Sequence, residues 1–93
     1  MAKFGEFIKS SSPTLLDFYN AKNDDGVLQS VATAIGKKGK VIKIDTEKNN
    51  QLVKALRIKG TPTYIIYKDS EIKWRQSGKQ EADKLVSLME QFV

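Results

Sequence analysis

Residues 56–67 constrain the fold of this 93-residue chain more than any other stretch. The sequence there predicts the end of a helix, a turn at Gly60-Thr61-Pro62, and a β-prone run of Tyr, Ile, Ile and Tyr. We expect Gly60 to end the helical pattern, because glycine accepts a positive φ without steric cost. Proline has no N–H group, so Pro62 suits the first position of a strand and not its middle. The stretch therefore predicts a helix that leads through a tight turn into a buried strand.

Helical and strand patterns alternate along the rest of the chain. A short helical pattern around residue 4 precedes a strand over 14–19, and a helix over 27–35 leads to a strand over 41–44. A crossover of this length with one helix requires parallel pairing of the two strands and is right-handed. After the strand at 63–68, the pair Asp69-Ser70 predicts a tight turn into an edge strand over 72–77. A last helix is expected from near Gln80.

Three side-chain placements follow from these patterns. The third helix is expected to begin at or after Thr46 and to bury Leu52, Val53, Leu56 and Ala55. Trp74 is expected on the same strand face as Ile72, packed on the last helix. Lys73 and Arg75 are interpreted as charges that protect an edge strand from unwanted pairing.

The residue counts exclude several kinds of chemistry. There is no cysteine, so these residues can form no disulfide, thiolate metal site or dithiol redox pair. There is no histidine, which excludes histidine acid–base chemistry and histidine metal sites. Asp24 and Asp25 are adjacent, so on a helix they point about 100° apart and make no convergent carboxylate pair. We therefore expect neither a cofactor nor a metal.

The net charge of +5 leaves two interpretations open. The basic residues are dispersed, and the one cluster, Lys37, Lys38 and Lys40, has no aromatic neighbour, which favours an ordinary solvated surface. The alternative is a basic interaction module for an acidic partner such as nucleic acid. No apolar run approaches the roughly 18 residues of a spanning helix, and the first residues contain no apolar signal core. We expect a cytoplasmic monomer that binds neither nucleic acid nor membrane.

Five motifs, in order over about residues 4–93, resemble the thioredoxin family. They correspond to the family's central strand, its next strand, the segment around its cis-proline, its terminal hairpin and the glycine before its last helix. In this chain they read Leu15-Leu16-Asp17-Phe18-Tyr19, Ile44-Asp45, Arg57-Ile58-Lys59-Gly60-Thr61-Pro62-Thr63, Lys68-Asp69-Ser70-Glu71-Ile72, and Gly78.

The resemblance implies one thioredoxin-like domain over 1–93, an α/β fold with three layers, α/β/α. Its mixed four-stranded sheet would have the order 2-1-3-4, with an antiparallel last strand pair and four helices. Only residues 1–3 precede the first helical pattern. The family's N-terminal strand is therefore expected to be absent or vestigial.

The family's Trp-Cys-Gly-Pro-Cys motif is replaced here by Lys22-Asn23-Asp24-Asp25-Gly26. The resemblance then implies a redox-inactive, non-enzymatic domain. We predict that it binds a protein or extended peptide in a groove beside the cis-proline, formed by Asn23, Asp24, Asp25, Gly26, Thr61, Pro62 and Gly78. Two alternatives stay open: an ordinary acidic helix start with Pro62 serving only the turn, or a diverged relative of a thiol–disulfide oxidoreductase kept for structural roles.

Asp17 interrupts an apolar strand, and a buried carboxylate is costly unless it is hydrogen-bonded or protonated. In the thioredoxin family the matching aspartate assists proton transfer to a buried cysteine. With no cysteine, we interpret Asp17 as structural or as a relic of redox ancestry. The lysine that accompanies this aspartate in the family falls at Val41, a second departure from the pattern.

Overall fold

The computed structural model describes residues 4–23 and 26–93. Its helices and strands follow the alternation expected from the sequence. In chain order they are α1 (Phe4–Ile8), β1 (Thr14–Tyr19), α2 (Val27–Ile35), β2 (Lys40–Asp45), α3 (Asn50–Ala55), β3 (Thr63–Lys68), β4 (Glu71–Ser77) and α4 (Ala82–Glu90), with single 3-10 turns at Ala21–Asn23 and Gly36–Lys38.

The four strands form one mixed sheet in the order β2-β1-β3-β4. β1 pairs in parallel with β2, while β3 pairs antiparallel with both β1 and β4. The predicted fold class, strand order and antiparallel last pair are therefore confirmed. Residues 1–3, to which any remnant of the family's N-terminal strand was assigned, lie outside the described residues.

The sheet is covered on both faces, which is why β1 and β3 are almost continuously apolar. On one face Leu15, Tyr64 and Ile66 pack with Val31 of α2 and Met89 of α4. On the other face a second cluster is packed by α1 and α3, and its members are Leu16, Phe18, Ile44, Ile58, Ile65 and Tyr67. The three layers expected from the sequence are present.

The β3–β4 hairpin is closed by a two-residue turn. Asp69 and Ser70 both have positive φ, 53° and 67°, as the primed turns of tight hairpins require. A register shift between Ile66 and Tyr67 then changes which residues share a face. Trp74 lies opposite Ile66 and packs with the α4 cluster, as predicted, but Ile72 lies opposite Tyr67. The expectation that Trp74 and Ile72 share a face was wrong because the bulge adds a residue between them.

The third helix begins at Asn50, so Thr46 precedes it and does not cap it. Thr46 instead bonds back to β1, donating from its N–H and its hydroxyl to the Tyr19 carbonyl at 3.1 and 3.2 Å. Leu52, Val53 and Leu56 pack inward as expected, whereas Ala55 is exposed. α4 begins at Ala82, two residues after the expected start near Gln80.

α3 ends at Ala55, and the left-handed residue that closes it is Arg57, not the expected Gly60. Arg57 has φ 55° and is the left-handed residue that follows the helix, whereas Gly60 takes no positive φ. The Ile58 N–H donates to the Val53 carbonyl at 2.9 Å, and the Arg57 N–H donates to the Lys54 carbonyl at 3.2 Å. These are the two bonds of a Schellman cap, and they satisfy the last carbonyls of the helix.

In residues 4–23 and 26–93, every helix is too short or too polar to traverse a bilayer.

Candidate functional site

The ends of three strands and the approach to α2 meet at one edge of the sheet. Phe18, at the end of β1, is paired with Thr63 at the start of β3, and Thr63 is paired with Ser77 at the end of β4. The chain leaves β1 at this edge and enters α2 through Gly26, whose φ of 73° is left-handed. The topology therefore assembles most of the predicted groove segments along a single edge.

Thr61, Pro62 and Gly78 are held together by hydrogen bonds from β4. The Gly78 N–H donates to the Pro62 carbonyl at 2.8 Å, which extends the β3–β4 ladder by one residue. The Thr63 hydroxyl lies 2.6 Å from the Gly60 carbonyl and 3.2 Å from the Ser77 hydroxyl. The Thr61–Pro62 peptide bond is cis. The turn before β3 is thus fixed along its length by side-chain and backbone bonds.

Arg75 holds the other end of the same segment, a role that the sequence interpretation missed. Its Nη1 donates to the Leu56 carbonyl at 2.6 Å and its Nη2 donates to the Arg57 carbonyl at 3.0 Å. A cation suits these groups, because the C-terminus of a helix carries partial negative charge. Arg75 was interpreted as edge protection because its distance from α3 is a tertiary feature with no local pattern.

Thr61 is an exposed residue in the turn before β3. Its N–H and C=O form no hydrogen bond with any residue of 4–23 or 26–93, although the chain on both sides of it is fixed. A backbone donor and acceptor held at one exposed residue can bond to an extended chain in the manner of an added strand. The arrangement provides hydrogen bonding and shape.

The loop side of the predicted groove is only partly described. Asn23 belongs to the 3-10 turn Ala21–Asn23, and Gly26 precedes α2, but Asp24 and Asp25 lie outside the described residues. A shallow depression of ≈ 490 Å³ follows the outer face of α2, lined by Gly26, Gln29, Ser30, Thr33 and Ala34. Thr61, Pro62 and Gly78 lie outside this depression.

Asp17 is buried, with 3% of its surface exposed, and lies on the α2 face of β1. Its register neighbours are Lys43 on β2 and Tyr64 on β3. The Lys43 ammonium also lies 4.5 Å from the centroid of the Tyr19 ring, a cation–π contact. Although the family's lysine position is Val41 here, a lysine two residues later therefore occupies the strand position beside Asp17.

No group of three or more acidic, histidine or cysteine side chains suited to a metal ion is found in the part of the chain that the structure describes.

Comparison with known proteins agrees with this architecture. The family model named Thioredoxin matches residues 1–91. A chloroplastic thioredoxin Y of Oryza sativa is 34% identical over 96% of this chain, and this chain spans 56% of its length. A thioredoxin-like protein of Synechocystis is 29% identical, with 99% of this chain and 93% of that protein covered.

Solved structures show the same likeness. A mutant thioredoxin from Halobacterium salinarum superposes with a TM-score of 0.84 at 25% identity, over 99% of this chain and 84% of that one. Chloroplastic thioredoxin z superposes with a TM-score of 0.78 at 26% identity, over 88% of this chain and 79% of that one. The family-model match over 1–91 places this chain in the thioredoxin family.

Proposed function

We propose that this domain binds an extended segment of a partner protein at Thr61, beside Pro62 and Gly78, by backbone hydrogen bonding and shape. The observation that carries the proposal is the exposed Thr61 backbone, whose N–H and C=O are unused by residues 4–23 and 26–93. Because the neighbouring bonds fix the turn, little conformational entropy is lost at this residue on binding.

The absence of cysteine supports binding in place of thiol chemistry. The 93 residues contain no thiol, so they supply neither of the two sulfur atoms that dithiol exchange requires. The protein fold itself is retained: the strand order, the turn before β3 and the Gly78–Pro62 hydrogen bond are all present. A domain that keeps these features without a thiol can still bind a partner chain.

An amide chemical-shift titration tests the proposal. The probe is a short extended peptide with a central Val-Ile-Val sequence, and the matched control replaces the central residue with proline, which removes one donor N–H. We expect saturable shifts at the Thr61 and Gly78 amides with the first peptide and weaker shifts with the second. The Asp69 and Ser70 amides, at the opposite sheet edge, serve as the internal reference. Shifts that are absent at millimolar peptide, or that are confined to other surfaces, reject the proposed function.

A further inference from the structure

We infer that the bound segment carries acidic side chains where it passes Pro62 and Gly78, an inference that rests on the proposed function and specifies its ligand. Three exposed cations, Arg57, Lys59 and Lys79, belong to the two chain segments that form this side of the groove. We call these three residues the basic rim.

A backbone hydrogen bond joins the two segments that carry the basic rim, although they are distant in the sequence. The Gly78 N–H donates to the Pro62 carbonyl at 2.8 Å, so Lys79 and Thr61 are the next residues along the two segments beyond that bond. Lys59 is two residues before Thr61. An extended chain paired with the Thr61 backbone therefore passes the two segments that carry these lysines.

The rim lysines have no acidic partner among the residues described. Lys59 and Lys79 form no hydrogen bond or ion pair with residues 4–23 or 26–93, whereas Lys38 is within 3.8 Å of Glu90 and Lys73 is within 3.1 Å of Glu71. Charges left unpaired at a rim add electrostatic complementarity and steering to binding.

The charges of the two segments on the Pro62 side indicate where the partner's acidic residues bind. Glu81 is exposed and is the one acidic residue of segments 57–63 and 77–81, against three cations. Opposite charges attract, so the partner's carboxylates are favoured where they pass the Pro62 side of the groove.

The test compares three peptides with the same Val-Ile-Val centre, flanked on both sides by glutamate, glutamine or lysine. Dissociation constants are measured by amide-shift titration at low and high salt. We expect the glutamate peptide to bind about threefold to tenfold more tightly than the glutamine peptide at low salt, and the preference to shrink at high salt.

Two double variants separate the effect of the basic rim on peptide affinity from the effect of the protein's net charge. In the Lys59→Gln, Lys79→Gln protein we expect the glutamate preference to fall at least about threefold, in line with the loss of two exposed charges. The Lys37→Gln, Lys40→Gln protein loses the same charge at exposed positions before and at the start of β2, away from the groove edge, and should keep the preference. Equal affinities for the glutamate and glutamine peptides, or equal effects of the two double variants, overturn the inference while leaving the proposed function in place. If no peptide shifts the Thr61 amide, both are rejected.

Discussion

The Nη1 atom of Arg75 lies 2.6 Å from the carbonyl oxygen of Leu56, so an edge strand completes the end of a helix that lies 19 residues earlier in the chain. The second nitrogen, Nη2, donates to the Arg57 carbonyl at 3.0 Å. The two bonds tie β4 to the segment that leads from α3 to Thr61. This contact joins the candidate site to the sheet, and it leads to the first prediction.

Replacing Arg75 with methionine should lower the free energy of unfolding by about 1–2 kcal/mol, because two charge-assisted hydrogen bonds to helix-terminal carbonyls are lost. The free energy of unfolding of Arg75→Lys should lie between those of the unmodified protein and Arg75→Met, since an ammonium lacks the guanidinium's planar fork. Urea unfolding gives the free energy of unfolding of the unmodified protein and of both variants. Lys73→Met is the control on the same strand, where an exposed ion pair with Glu71 at 3.1 Å is worth about 0–1 kcal/mol. An Arg75→Met loss no larger than that of Lys73→Met contradicts the assigned role.

Arg57→Gly should raise the free energy of unfolding by about 0.5–1 kcal/mol. A non-glycine residue at φ 55° destabilises the folded state by about 1–2 kcal/mol. Glycine removes this strain, but it also increases the conformational entropy of the unfolded chain, which offsets part of the stabilisation. Arg57→Ala removes the same side-chain atoms beyond Cβ but keeps the strain, so it should be close to neutral. Chemical denaturation of both variants separates the backbone effect from the loss of charge.

Ala55, the last residue of α3, offers the opposite case for glycine. Ala55→Gly changes an exposed helical residue and should destabilise the protein by about 0.5–1 kcal/mol. Destabilisation by Arg57→Gly of similar size would show that residue 57 is not under left-handed strain.

Stability should decrease at alkaline pH through Tyr67. Burial raises the pKa of Tyr67 above its ordinary value of 10.0, and the nearby Arg75 charge acts in the opposite direction. The folded protein therefore keeps a proton that the unfolded chain releases above pH 10.0, so the free energy of unfolding falls as the pH rises through that range. Below pH 10.0 both states hold the proton and the contribution of Tyr67 is constant.

Tyr67→Phe removes this titration while keeping the ring that meets Phe4 edge-on at 5.5 Å. We expect its free energy of unfolding to depend less steeply on pH above 10.0 than that of the unmodified protein, measured by denaturant unfolding at a series of pH values. The matched control is Tyr19→Phe, which removes the hydroxyl of a half-buried tyrosine elsewhere in the sheet. Equal alkaline slopes for the unmodified and Tyr67→Phe proteins would contradict the role of Tyr67.

Gly39→Ala should destabilise the protein by about 1–3 kcal/mol through overpacking. A Cβ at residue 39 would lie 2.8 Å from the Pro13 carbonyl oxygen and 3.0 Å from the Met89 Cε. The Pro13 carbonyl has little freedom to move, because it accepts a hydrogen bond from the Lys40 N–H at 2.9 Å. Thermal unfolding compares this variant with Gly60→Ala, whose added Cβ meets nothing within 4 Å. Tolerance of alanine at residue 39 would show that the contact relaxes freely.

The domain should not accelerate the reduction of insulin by dithiothreitol. Thioredoxin-type turnover needs a thiolate that attacks and a second thiol that resolves the mixed disulfide, and these 93 residues contain neither. The assay compares the protein with a buffer blank and with a dithiol thioredoxin as the positive control. Clear stimulation above the blank would contradict the redox-inactive assignment.

Much of the architecture could be predicted from the sequence because its signals are local. The run at 63–68 is apolar and β-prone over consecutive residues, and Asp69-Ser70 is a turn pair whose positive φ values need no distant partner. The β1–α2–β2 crossover follows from its length alone. The predicted groove segments at Thr61, Pro62 and Gly78 lie together because the strand order and the hairpin bring them together.

What the tertiary structure alone decided concerns residues whose roles depend on distant partners. Arg75 was assigned to edge protection, yet its guanidinium bonds to carbonyls at the end of α3. Arg57 takes the left-handed position although Gly60 is available, because α3 ends where Val53 and Ile58 pack in the same core. The sequence determined which helices and strands form, since secondary-structure propensity and the spacing of apolar residues depend on near neighbours in the chain. The termini of α3 and the partners of Arg75 were decided by packing and hydrogen bonds between residues far apart in the chain, whose energies exceed local preferences of a few tenths of a kcal/mol to about 1 kcal/mol.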